Sequence, residues 1–204
     1  MTNEFPLRSW SSEHCISFRK TADKWGGLSN MAGGYPIRIN EKDWLTSEAL
    51  YQALRFPDNP EIQTEIFGQK SPMAAKMKSK PFRLTHGRKD WDLVRIEIMY
   101  WCLQMKLHAN QSSFGNLLLT TESFDIIEES RQDTFWGAKK DDEGRFYGKN
   151  VLGCLLMQLR HTVKQESDTT SYISPSFERC LLFRQSISSV STYIEPSQNR
   201  LFES

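Results

Sequence analysis

One stretch limits the possible folds more than any other: WDLVRIEIMYWCLQMKLH, from Trp91 to His108. Its period is helical, and apolar residues occupy almost every face except an edge made by Arg95, Met99, Cys102 and Lys106. A helix that is apolar on so many sides has to be surrounded, so it belongs in the centre of the fold, with Asp90 as its N-cap. Its charges, Asp92, Arg95, Glu97 and Lys106, are too many for a membrane span of that length.

Short strand patterns precede it: CISFRK (15–20), YPIRIN (35–40) and DWLT (43–46), the last two joined by a turn at Asn40, Glu41 and Lys42. Helix signals then take over. Thr46 or Ser47 caps a helix that Pro57 ends, and Asn59 with Pro60 and Ser71 with Pro72 open two more, because proline suits the first helical position. After the central helix, a short helix covers Ser113 to Leu119 and FDIIEE (124–129) reads as a strand. A last helix runs from about Asn150 to Val163 with Val151, Leu152, Leu155, Leu156 and Leu159 as its buried stripe.

The expected fold class is α+β, a mostly helical single domain with a small, largely N-terminal β-sheet. The alternation needed for a doubly wound parallel sheet is missing. KQESDTTSYISPS is polar and without periodicity, which sets a domain of 1–163 against a C-terminal extension of 164–204 that docks weakly or stays mobile.

Lys and Arg total 26 against 25 Asp and Glu, a net charge of +1, so any nucleic-acid contact has to be local. Cys15, Cys102, Cys154 and Cys180 form no CxxC pair, and His14, His86, His108 and His161 no HxxxH pair, so a metal-free protein of a reducing compartment is expected. With no apolar core near the N-terminus to act as a secretory signal, the expected location is the cytoplasm.

Three stretches concentrate residues able to do chemistry. In TSEALYQALRFP, helical spacing puts Glu48, Gln52 and Arg55 on one face with Tyr51 beside them. That stripe is either a solvated face with Glu48 serving the helix dipole, or a ligand-reading face. KWGGLSNM holds Lys24 and Asn30 around Gly26 and Gly27, and is either a connection whose glycines supply unusual backbone angles or a site loop. RQDTFWGAKKDDEGRFYGKNVLG offers Asp133, Phe135, Trp136 and Gly137 in a loop, with Asn150 capping a helix whose free N–H groups suit a phosphate. Its alternative is a long surface loop pinned by buried aromatics.

GGLSNM, TSEALYQALRFP, SPMAAKM, RKDWDLVRIEIMYWCLQMKL and DTFWGAKKDDEGRFYGKNVLGCLLMQLR, in this order, resemble the NADAR family, named for association with NAD and ADP-ribose. The likeness covers about residues 15 to 162. It implies a mostly helical α+β fold and cofactor-free N-glycosidase activity, either on ribosylamino pyrimidine intermediates of riboflavin biosynthesis or on ADP-ribosylated guanine in nucleic acid. By motif it places Asn30, Glu48, Gln52, Asp133, Trp136, Gly137 and Asn150 in the pocket, with Lys24 just upstream. Many relatives read SEHYFQAQKF, where this chain has Ala49 and Arg55 in place of His and Lys.

The expected roles follow from the reaction. Glu48, Asp133 and Lys24 are the catalytic candidates, Lys24 as an amine able to attack the anomeric carbon. Asn30, Tyr51, Gln52, Arg55, Trp136, Gly137 and Asn150 are the substrate-binding candidates. The partner is then a ribosyl-containing small molecule or ADP-ribosylated nucleic acid, with no membrane involved. The competing expectation is a noncatalytic ADP-ribose-binding module, and a third explains the aromatics as core alone.

Overall fold

The computed structural model describes residues 5–165, 172–187 and 190–191. The fold is a single α+β domain, with six α-helices and several small sheets among the described residues. Strands β1 (Arg8–Trp10) and β2 (Cys15–Phe18) open the chain, and β3 (Ile37–Ile39) and β4 (Lys42–Trp44) form the expected hairpin. Asn40 and Glu41 turn it with φ of 48° and 59°, the left-handed pair that a two-residue hairpin requires.

Helix α1 (Ser47–Ala53) is capped by the Thr46 hydroxyl, which accepts from the Ala49 N–H. Helices α2 (Pro60–Phe67) and α3 (Pro72–Ser79) begin at the expected prolines, and Ser71 caps α3 through the Ala74 N–H. Helix α4 (Trp91–Ala109) is central, contacting α1, α6 and β3. A π-helical turn, Gln111–Gly115, leads into α5 (Asn116–Leu119), and α6 (Val151–Gln165) buries the predicted stripe.

Three local expectations change. The α4 edge read as least apolar faces inward: Met99, Cys102 and Lys106 are fully buried, while Leu93 in the first turn is exposed. Asp90 stands at the N-cap but caps nothing, because both its oxygens grip Arg88 at 2.7 and 2.9 Å. Gly26 and Gly27 have no positive φ. They form a 3-10 turn in which a Cβ on Gly26 would strike the Thr21 carbonyl, so close approach and not backbone angle is the reason for glycine.

The strands pair across the chain. β2 runs parallel to β5 (Asp125–Glu128), with Cys15 opposite Asp125 and Phe18 opposite Glu128. The stretch read as one long loop contains β6 (Ala138–Lys140) and β7 (Phe146–Gly148), which with β1 make a three-stranded antiparallel sheet. Sheet structure is thus shared between the N-terminal third and residues 125–148, with two further short antiparallel pairs within residues 172–191.

Beyond Gln165, the expected polar extension supplies Phe177, Leu182 and Ile187 to the main core. Phe183 stacks on Trp44 and Phe177 meets Trp101 edge-on. Buried Gln63 fastens this segment: its amide donates to the Ala53 and Leu181 carbonyls and accepts from the Phe183 N–H. Arg88 reaches the Glu178 carbonyl at 2.8 Å, and Arg179 pairs with Asp58. No described helix is long and apolar enough to cross a membrane.

Candidate active site

All seven residues of α1 are buried, so the stripe of TSEALYQALRFP is not a solvated face. Glu48 is 2 % exposed, and each of its carboxylate oxygens takes an amide proton, one from Asn30 at 2.5 Å and one from Gln52 at 2.8 Å. Two neutral donors on a buried carboxylate favour its ionised form. Burial itself pushes the Glu48 pKa up, against the pull of Lys76, the Gln52 hydrogen bond, Arg83 and Arg55.

A chain of polar contacts holds this carboxylate in place. Gln52 accepts from the Ser79 hydroxyl at 2.6 Å and from Arg83 at 3.3 Å, tying α1 to the end of α3. The Asn30 carbonyl accepts from the Glu48 N–H at 2.9 Å and the Ser47 hydroxyl at 3.0 Å. Lys106 anchors the loop carrying Asn30. Its ammonium, fully buried, donates to the Gly27 and Ser29 carbonyls at 2.6 and 2.9 Å and lies over the rings of Tyr35 and Phe114. Burial pulls the Lys106 pKa well down.

Glu48 faces a cavity of about 830 Å³, within the range of small-molecule sites. Tyr51, Trp91 and Trp136 give it an aromatic wall, Tyr51 meeting Trp91 at 4.9 Å and Trp136 at 5.9 Å between ring centroids. Arg55 stacks 4.0 Å above Trp91, and Arg95 4.0 Å above Phe135. Burial first, then the positive charges of Arg83 and Arg95, bring the Arg55 pKa down to about 10 against the pull of Tyr51 and Asp92. Half-buried guanidiniums crowded in this way form a ready seat for an anion. The parallel pair β2–β5 delivers residues at or just past its carboxyl ends to the same space, Arg19 and Lys20 from one strand, Glu128 and Glu129 from the other.

The structure therefore gathers Asn30, Glu48, Tyr51, Gln52, Arg55, Asp133 and Trp136 around one cavity. Asp133 has a structural task there, since its Oδ1 accepts from the Phe135 and Trp136 N–H groups and orients the Trp136 loop. Lys24, Gly137 and Asn150 are not part of the wall. Lys24 is exposed, its ammonium 4.9 Å above the Trp25 ring. Asn150 is fully buried, at φ 49°, and binds β5 with both ends of its amide. The expected phosphate seat beside it is closed, because the N–H groups of Asn150, Val151 and Leu152 donate to the carbonyls of Gly137, Phe135 and Trp136.

Sequence reasoning passed over Trp91, Arg83, Arg95, Lys106 and Glu128. In the sequence Trp91 is simply the first residue of a core helix. Glu128 follows Ile126 and Ile127 in FDIIEE, and an acid after a buried apolar pair at the end of a strand is the available signal.

Fold and cavity define a class: an α+β domain with a cavity between helices and strand ends where a buried carboxylate, guanidiniums and aromatic rings meet. The chain belongs to the NADAR family, whose domain matches residues 17–164. It is 36% identical over 170 residues to the N-glycosidase YbiA of Escherichia coli (strain K12), covering 79% of this chain and 99% of that protein. It is 35% identical over 162 residues to the chloroplastic riboflavin biosynthesis protein PYRR of Zea mays, covering 72% of this chain but 25% of that protein. The NMR structure of E. coli YbiA is similar with a TM-score of 0.64 at 34% identity, covering 76% of this chain and 89% of that one.

Proposed function

We propose that this protein hydrolyses a ribosyl N-glycosidic bond, taking as substrate a phosphorylated ribosylamino pyrimidine of the riboflavin route. The observation that carries the reading is Glu48, a buried carboxylate clamped by Asn30 and Gln52 on the wall of an arginine-lined cavity. Breaking the bond builds positive charge on the sugar ring oxygen and the anomeric carbon, which a fixed carboxylate stabilises without having to reorganise. Tyr51, Trp91 and Trp136 suit the flat base, and Arg55 with Arg95 suits the phosphate. The NADAR resemblance and the name of YbiA support the reaction, and the relatives named for riboflavin biosynthesis support the substrate.

ADP-ribosylated guanine presents the same kind of bond and is the second substrate to test. The protein is incubated with each, and free ribose phosphate and ADP-ribose are measured. In Glu48→Gln, which keeps size but removes charge, turnover falls about 100-fold or more while the melting temperature holds, the scale of one lost electrostatic contact. Wild-type protein that binds ADP-ribose but releases no product from either substrate makes the cavity a reader module instead.

A further inference from the structure

Asn150 and Gly137, the motif residues that do not reach the cavity, converge on one strand end. The Asn150 amide accepts from the Glu128 N–H at 3.0 Å and donates to the Ile126 carbonyl at 2.8 Å. Gly137 lies against the Glu128 carbonyl so closely that any Cβ there would collide with it. On either side, Glu129 N–H donates to the Phe18 carbonyl and Ser130 N–H to the Ala138 carbonyl. A segment fixed by this many contacts has one place to put the Glu128 side chain, and that place is the cavity wall.

Of the three glutamates of this wall, Glu129 pairs with Arg19 at 3.4 Å, and the other two differ in their partners. Glu48 receives two amide protons. The Glu128 carboxyl takes no hydrogen bond and no ion pair among the described residues. The charged groups that act on it are Asp133 from the following loop, Glu48 from α1 and Lys76 from α3, so two negative charges oppose one positive. Burial first, then Asp133 and Glu48, push its pKa up to about 7. Two amide donors favour the ionised form of Glu48 and none does so for Glu128, and neighbouring carboxyls with such unlike partners can divide the roles of acid and base.

From this geometry we infer that Glu128 is the general acid of the site, protonating the departing nitrogen while Glu48 remains the anion beneath the sugar. The inference rests on the N-glycosidase reading. As the bond from C1′ to nitrogen breaks, its electron pair stays on nitrogen and takes the Glu128 proton, releasing a neutral amine. Water oxygen then bonds to C1′ and gives one proton to Glu48. Glu48 returns that proton to solvent and Glu128 regains one, so each turnover consumes one water and restores both carboxyls. Asn150 and Gly137 are positioning residues that act through Glu128.

The test uses the full chain and a series of N-aryl ribosylamine 5-phosphates whose leaving amines differ in basicity. Glu128→Gln is expected to lose at least about 100-fold in kcat for the most basic amine and much less for a nitroaniline, which departs readily without a proton. The wild-type kcat/KM profile is expected to fall above pH about 7, a limb that Glu128→Gln lacks and Glu128→Asp keeps at reduced rate. Difference infrared spectra of the wild type should show a protonated carboxyl band vanishing near that pH, a band that Glu128→Asp keeps and Glu128→Gln lacks. Wild-type turnover with a Glu128→Gln rate within threefold across the series overturns the acid assignment alone. Absence of wild-type turnover on every substrate overturns the N-glycosidase reading with it. If Glu128→Gln does not fold, the pH limb and leaving-amine slope of Glu128→Asp decide.

Discussion

Glu128 carries a thermodynamic signature separate from catalysis. Its pKa in the folded protein is raised from an ordinary 4.5 to about 7, so folding favours its protonated form. The associated stability is complete below pH 4.5 and is lost as the pH rises through about 7. Replacing Glu128 by Gln removes that dependence, so urea denaturation at pH 5 and pH 8 should show the variant gaining on the wild type by up to roughly 3 kcal/mol, less where cavity water screens the charge. An equal difference at both pH values would show Glu128 to be ionised in the fold. Glu48, Gln52 and Tyr51 were legible in the sequence because helical spacing and a family motif mark them together. Glu128 was not, since nothing in FDIIEESRQ separates an acid held against a cavity from one in solvent; Asn150 makes that distinction from 22 residues away.

Among the elements, α4 and the Gly26–Asn30 turn are joined by Lys106, a cation read from the sequence as part of a polar edge. Periodicity reports which faces are apolar, but not that two backbone carbonyls and two rings wait to enclose an ammonium. Lys106→Met keeps the length and packing of the side chain while taking the Lys106 donor from the Gly27 carbonyl, at about 1 to 3 kcal/mol, and leaving the Ser29 carbonyl with the Ala32 N–H at 3.1 Å. Because Ser29 adjoins Asn30, whose amide and carbonyl both hold Glu48, the expected result is a lower melting temperature together with a kcat loss of about tenfold or more. A melting shift with unchanged kcat would confine Lys106 to stability. Helices announced by proline at their first position were legible for a local reason, since cap and proline act within one turn. The β6–β7 hairpin was hidden because AKKDDEGRFYG is charged and glycine-containing, and β7 gains its second partner from β1, far away in sequence.

At the scale of the molecule, the extension after residue 163 reads in sequence as a polar appendage, since KQESDTTSYISPS, which opens it, is polar and without periodicity. Three of them, Phe177, Leu182 and Ile187, lie in the main core, where each buried side chain contributes about 1.5 to 3 kcal/mol before the ordering of its segment is subtracted. Their removal would also uncover Trp44 and Trp101 and leave buried Gln63 without the Leu181 and Phe183 partners that it holds at 2.9 and 2.7 Å. Among the described residues no cavity-lining residue lies beyond Leu152, so the described part of the extension supplies no chemistry to the site. A chain ended at Gln165 should therefore lose about 2 to 4 kcal/mol of stability, a fall in melting temperature on the order of 10 °C, while its kcat well below the melting range stays close to that of the full chain. Urea titration and turnover on the two chains side by side test this. An unchanged unfolding midpoint would make residues 1–163 a self-sufficient domain, whereas a lost kcat in chain that still folds would mean that the docked segment holds α1 and α2 in the geometry the cavity needs.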